Sequence, residues 1–250
     1  MLHLLEPYVT EMQRTVDLTE EVALAGDFDG DGVVDDEDYT LRRFGTNGGD
    51  SPLGSMVAHA MQIRHGVETD FALTNSLGIR TDIQAGPVTR EEMFNVLPFD
   101  NTIVVMLLSG VEVQELADYA TQRSASRGCN AQAQISGARF VMNCAAGFAQ
   151  DVTVGGSWDP CYEDTDCPAN EICSAEMCGR PIVPEGVYEL ATNDYIARGG
   201  SGFKVLEQNT SKVDTGISMR DAVITYFLDH PNIPADTGFA ESDGRIFPVY

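Results

Sequence analysis

Aspartates recur at close intervals in one stretch, Asp27-Phe-Asp29-Gly-Asp31-Gly-Val33-Val-Asp35-Asp-Glu-Asp38. Counted from Asp27, carboxylates fall at positions 1, 3, 5, 9 and 12, with the Val33 carbonyl at 7 and Gly32 at the sharp-turn position 6. Carboxylates this crowded repel one another unless a hard cation gathers them, so the stretch is expected to hold structural calcium. Two aromatic rings offer a different chemistry. Phe99 sits in Val-Leu-Pro-Phe-Asp-Asn, and Phe203 closes Arg-Gly-Gly-Ser-Gly-Phe. Burying such a ring is worth roughly 1.5–3 kcal/mol, so a ring on a Pro or Gly turn invites a functional reading. It can present its face to a flat ligand. The run Asn75-Ser-Leu-Gly-Ile-Arg80 adds an amide and a guanidinium, groups that orient such a ligand and neutralise an anion on it. Together these residues suit a nucleotide.

Composition narrows the partners. The chain has 250 residues, 43% hydrophobic, enough for a sizeable core in one domain or two small ones. Its net charge of −24 argues against nucleic acid or anionic membranes as general partners. A small anion remains admissible, because local arginines dominate within a Debye length of ~8 Å. No apolar run approaches the ~20 residues that span a bilayer. Met1-Leu-His-Leu-Leu has no basic lead-in, so no signal peptide is visible and the start reads as cut from something longer.

Of six cysteines, Cys161, Cys167, Cys173 and Cys178 fall close together, and Cys129 and Cys144 flank a loop and strand. The C-x2-C pairs of structural zinc are absent and no histidine is near. Disulfides are therefore expected, and with them an oxidising compartment. Among the four, three pairings are open.

Elements that would position these groups follow from periodicity and caps. Leu5, Val9, Met12 and Val16 recur at helical spacing, so residues 4 to 24 read as one amphipathic helix. Leu53, Met56, Val57, Ala60 and Met61 mark a second helix after the Asn47-Gly-Gly-Asp-Ser-Pro turn cluster. Strand-like runs cover 70 to 74, 102 to 108, 138 to 143, 151 to 155 and 187 to 192. Thr89-x-x-Glu92 and Ser109-x-x-Glu112 match capping boxes, and Ser218 is an N-cap candidate for a helix carrying Val223, Tyr226 and Phe227. This alternation predicts an α/β or α+β layered fold, a mixed sheet with covering helices. Domain limits follow: a linker helix over 1–25, a calcium-loop insertion over 26–48, and a main domain over 49–250. A Cys-, Pro- and acid-rich insertion, 157–181, interrupts that domain and reads as a stapled surface hairpin in preference to a protein-interaction knob.

The order of the motifs carries a resemblance. Ser51-Pro-Leu-Gly, Asn75-Ser-x-Gly-Ile-Arg80, Gly86-Pro-Val-Thr, Val96-Leu-Pro-Phe-x-Asn-Thr and Ala191-Thr-Asn-Asp-Tyr-x-Ala-x-Gly-Gly-x-Gly-Phe203 resemble the C-terminal domain of the 5'-nucleotidase family, over residues 50 to 156 and 182 to 247. That family includes periplasmic UDP-sugar hydrolases. The acidic loop, ending in Asp38 where an EF-hand has Glu and followed by Tyr-Thr-Leu-Arg-Arg, resembles half of a dockerin repeat. The first resemblance implies a two-domain hydrolase in which an N-terminal metallophosphoesterase domain holds two divalent metals and this domain binds the nucleoside. Carried over, Phe99 and Phe203 would sandwich the base and Asn101 would bond it or fix the loop. Asn75 would reach towards the phosphate, Arg80 would contact it, and Asn209 would stand where an acidic residue bonds the ribose. The family's Gly falls at Leu77 here, and a further arginine falls at Asn47, with Arg42 and Arg43 nearby.

No catalytic set is visible. The four histidines, His3, His59, His65 and His230, form no His-x-His, Asp-x-His or Asn-His pairing, and His59 and His65 read as surface or packing residues. The expectation is a nucleoside phosphate- or nucleotide-sugar-binding domain, inactive alone, from a secreted, periplasmic or cell-surface phosphohydrolase. The rival is a calcium-clipped surface module that has lost ligand binding.

Overall fold

Eight residues, Thr-Ile-Val-Val-Met-Leu-Leu-Ser, supply the β-branched and apolar side chains that favour an extended strand buried on two faces. In the computed structural model, which describes residues 19–27, 33, 40–45, 47–235, 237–239 and 242–250, they sit inside a five-stranded mixed sheet. The strands are β1 (Glu21–Asp27), β2 (Phe71–Asn75), β3 (Gly86–Thr89), β4 (Thr102–Ser109), β5 (Ala133–Ser136), β6 (Ala138–Asn143), β7 (Phe148–Val154), β8 (Ile172–Ser174), β9 (Met177–Gly179), β10 (Val187–Asn193), β11 (Val213–Ser218), β12 (Asn232–Pro234) and β13 (Ile246–Val249). The helices are α1 (Pro52–Gln62), α2 (Arg90–Val96), α3 (Gly110–Ala125), α4 (Asp194–Ala197), α5 (Lys204–Gln208) and α6 (Met219–Asp229).

The main sheet has the order β11-β4-β10-β2-β5. β2 and β10 run parallel, and the other neighbours are antiparallel. Alternation along each strand divides the apolar residues between two cores. Ala72, Ile103 and Ala191 face a core shared with Leu53, Met56 and Met61 of α1 and Val223 and Phe227 of α6. Phe71, Leu73, Val104, Met106 and Leu190 face the other, shared with Leu116 of α3 and Phe140, Met142 and Val152 of β6 and β7. Two smaller sheets, β12-β1-β3 and β13-β6-β7, flank it. The layered α/β expectation holds.

The expected starts of α2, α3 and α6 are also in place. Thr89 and Ser109 each complete a reciprocal capping box with Glu92 and Glu112, and the Ser218 hydroxyl accepts from Asp221 N–H. Residues 21 to 24 do not continue a helix. They open β1, where Val22 and Ala25 are buried and the backbone pairs with β12 on one side and β3 on the other. Sheet pairing overrides local helical spacing here. Residues 1–18 lie outside the described residues.

All six cysteines are oxidised: Cys129–Cys144, Cys161–Cys173 and Cys167–Cys178. The four clustered cysteines thus pair first to third and second to fourth. Cys173 and Cys178 are cross-strand partners in the β8–β9 hairpin, yet each sends its sulfur to a different loop cysteine.

Candidate functional site

Because β2 and β10 are parallel neighbours, their C-terminal ends lie side by side, the usual position of ligand sites in open α/β sheets. Asn75 ends β2 and Asn193 ends β10. The buried Asn193 Nδ2 donates to Asn75 Oδ1 (3.0 Å) and Thr74 Oγ1 (3.0 Å). Its Oδ1 accepts from Ile196 N–H at 3.0 Å and so caps α4. β4 runs antiparallel to β10, which brings the start of β4, and with it the Leu97–Asn101 turn, to the same end of the sheet.

A cleft of about 410 Å³ opens there. The segment after β2 contributes Asn75, Leu77, Gly78 and Arg80, and the turn before β4 contributes Phe99 and Asn101. Arg123 reaches in from α3, and Tyr195 and Ser201 come from α4 and the turn that follows it. The Phe99 ring is 48% exposed and Tyr195 50%, so both are open to a ligand in the cleft. Arg80 Nη1 donates to the Leu77 carbonyl at 3.1 Å. Arg43 donates to the carbonyls of Ile79 and Arg80, so this arginine braces the Arg80 segment. Two guanidinium groups, Arg80 and Arg123, give the cleft a local positive lining within an acidic chain.

Phe203 is elsewhere. It is fully buried and packs edge-on against Tyr119, ring centroids 5.0 Å apart. The Gly-Gly-Ser-Gly turn directs this ring inward, with Ser201 at φ 58° and Gly202 at φ 88°. Ser201 is pinned in that left-handed conformation by its carbonyl, which accepts from Tyr119 Oη and from Arg123 Nη1, both at 2.7 Å. Its N–H donates to the Tyr195 hydroxyl at 3.2 Å. The ring that faces the cleft from this segment is therefore Tyr195, which the sequence reading passed over although it lies in the quoted Asn-Asp-Tyr run. Arg123 carried no sequence signal at all. Asn209 is likewise outside the cleft: its Nδ2 donates to the Leu107 carbonyl at 2.7 Å and its Oδ1 accepts from Ser211, an Asx turn that ties α5 to β4.

Of the acidic loop, Asp29, Asp31, Asp35 and Asp38 lie outside the described residues; Asp27 ends β1 and Val33 is exposed. Among the described residues, three metal-ligating side chains converge in one cluster, Cys161, Cys167 and Cys178, all engaged in disulfides. They do not fit a two-metal phosphoesterase centre. His59 packs against Tyr226 and Phe239, ring centroids 5.6 and 5.5 Å away. Burial, with the charges of Arg245 and His230, pulls its imidazole down to about 4. His65 is exposed beside Glu68. A larger hollow, about 580 Å³, lies between the insertion and β10, with the acidic Asp70 and Glu171 and the single cation Arg180 in its lining.

Comparison with known proteins agrees with the fold. The profile of the 5'-nucleotidase C-terminal domain matches residues 31–208. An apyrase of Tabanus yao is 27% identical over 164 residues, covering 62% of this chain and 26% of its own. Protein UshA of Escherichia coli is 25% identical over 194 residues, 78% of this chain and 30% of its own. The crystal structure of a 5'-nucleotidase precursor from Thermus thermophilus superposes with a TM-score of 0.68 at 26% identity, over 99% of this chain and 42% of that one. The chain thus spans less than half the length of each of these relatives. With the profile covering most of its residues and the same architecture in a solved relative, the chain belongs to the 5'-nucleotidase C-terminal domain family.

Proposed function

We propose that the cleft binds the nucleoside part of a nucleoside phosphate or nucleotide-sugar and presents its phosphate to a separate catalytic domain. The observation that carries this reading is the pairing, in one cleft, of two exposed rings with two arginines. Phe99 and Tyr195 offer faces to the base, and stacking of this kind contributes about 1–3 kcal/mol per base in single-strand binders. Arg80 and Arg123 supply planar forks for phosphate oxygens, while Asn75 and Asn101 supply amides for orientation. The names of the relatives, apyrase and 5'-nucleotidase among them, support a phosphohydrolase parent. In such a parent, two divalent metals in the other domain would supply the activated water, and this chain would bind and orient. Three disulfides support a secreted, periplasmic or cell-surface setting.

Titration of the chain with AMP, adenosine and UDP-glucose, followed by aromatic NMR signals, tests the site. Phe99 and Tyr195 resonances are expected to shift, and AMP to bind more tightly than adenosine. No shift at millimolar ligand would sink the reading. Turnover of AMP by the isolated chain with divalent metal would overturn the division of labour. We further propose calcium at Asp27, Asp29, Asp31, Val33, Asp35 and Asp38 on ligand spacing. Addition of a chelator should lower the thermal midpoint, and an unchanged midpoint would count against it.

A further inference from the structure

The exposed Phe99 ring stands on a turn that a buried charge spans. Arg220 lies in the first turn of α6, 8% exposed, with its guanidinium beneath the Leu97–Asn101 turn. Its Nη1 donates to the Leu97 carbonyl at 2.8 Å, two residues before Phe99. Its Nη2 donates to Asp100 Oδ1 at 2.7 Å, one residue after. The Phe94 ring covers the guanidinium, 3.7 Å from centroid to Cζ. The neighbouring Met219 N–H donates to the Asn101 carbonyl at 2.9 Å, so one helix start holds the turn at three points.

This is a costly way to build a core. Arg220 Nε is buried without a hydrogen-bond partner, and the one carboxylate it meets, on Asp100, is 91% exposed. Buried ion pairs are commonly no more stabilising than apolar residues of similar volume. A planar fork does what an apolar residue cannot: it fixes two acceptors on either side of a chosen residue in one plane. We infer that Arg220 is a positioning residue for ligand binding, holding the Pro98–Phe99 backbone so that the ring faces the cleft before any ligand arrives. It touches no ligand itself and acts through Phe99. The inference rests on the reading of the cleft given above. Preorganisation matters because ordering a free ring-bearing turn on binding subtracts from affinity.

The test compares Arg220→Met with Arg220→Lys in the full 250-residue chain, each also in a Phe99→Ala background, with adenosine as probe. Arg220→Met should bind adenosine roughly tenfold more weakly, with a thermal midpoint lowered only by the Leu97 carbonyl it leaves unpaired. Arg220→Lys, which keeps the charge on a single donor nitrogen but loses the planar fork, should lie between. In the Phe99→Ala background Arg220→Met should have no further effect, because the coupling runs through that ring. Equal affinity of Arg220→Met and wild type, or an equal loss with and without Phe99, overturns the inference. The Phe99 ring also reports without ligand: its carbon relaxation should show an ordered ring in the wild type and fast motion in Arg220→Met, and unchanged order would overturn the clamp. That measurement separates the two readings, since wild-type chain that ignores adenosine refutes the nucleoside site alone. Asp100→Ala, at an exposed position, keeps the test in hand should Arg220→Met not fold; it should loosen the ring more weakly in the same direction.

Discussion

The cleft and the cysteine-rich insertion both display aromatic rings to solvent, but they hold them by different means. In the insertion Tyr162 is 95% exposed, and the short β8–β9 hairpin beneath it is fixed by two disulfides. A segment this short cannot assemble an apolar core, so covalent links replace one. In the cleft no disulfide touches Phe99 or Tyr195. Their turns are anchored by Arg220, by Asn193 and by the Ser201 carbonyl, each backed by the packed residues of the main sheet. Staples give shape where burial is lacking, whereas hydrogen bonds over a core give a defined direction to individual side chains. The difference predicts independence: losing one region should leave the other standing.

The largest effect expected is on the insertion. Replacing Cys167 and Cys178 together with alanine removes a link across 11 residues, worth about 3 kcal/mol in loop entropy. Hydrogen exchange should rise across 157–181, while adenosine affinity stays at the wild-type value; a parallel loss of affinity would show the regions to be coupled. Phe99→Ala should do the reverse, weakening adenosine binding by about 2 kcal/mol with little change in thermal midpoint, as calorimetry and thermal melts would report. An effect of comparable size concerns pH. His59 lines a hollow with Trp158 and Met177 of the insertion side. Its folded value of about 4 lies below the ordinary 6.5, so the unfolded chain binds the proton first. Its stabilising contribution is complete above pH 6.5 and is lost as pH falls towards about 4, by about 1–3 kcal/mol. Urea unfolding at stepped pH should show this slope, and His59→Gln should flatten it; an identical slope in the variant would refute the assignment. Smallest is Tyr195→Phe, which keeps the ring and removes the hydroxyl that meets Ser201 N–H. Adenosine affinity should fall by less than about 1 kcal/mol. A loss as large as that of Phe99→Ala would mean that the hydroxyl, not the face, is what the ligand meets.

Local chemistry was legible in the sequence wherever one residue acts on its neighbours. The Thr89 and Ser109 boxes, the apolar run of β4 and the oxidised state of the cysteines all depend on short-range patterns. The cleft's first wall, Asn75, Arg80, Phe99 and Asn101, was legible instead from the order of the motifs that resemble the family, since each motif alone is weak. What escaped depends on distant partners or on the sign of a backbone angle. β1 is a strand because Leu24 and Ala25 meet Asn232 and Ile233, far along the chain. Phe203 turns inward because Ser201 and Gly202 take positive φ, and the same turn leaves Tyr195 facing out. The cysteine pairing needed the β8–β9 register, which three-residue strands do not announce.

The place of β1 has a mechanical side. It lies between β12, which it meets in parallel, and β3, which it meets antiparallel. A pull on the backbone before Glu21 that was directed along the strand axis would slide β1 lengthwise past both neighbours. Its hydrogen bonds to both would then bear the load together, like the glued faces of a lap joint, instead of parting one at a time from an end. Tension or torque from the preceding part of the chain would enter the domain through that joint and be shared with residues 86–89 and 232–234 before it reached the main sheet.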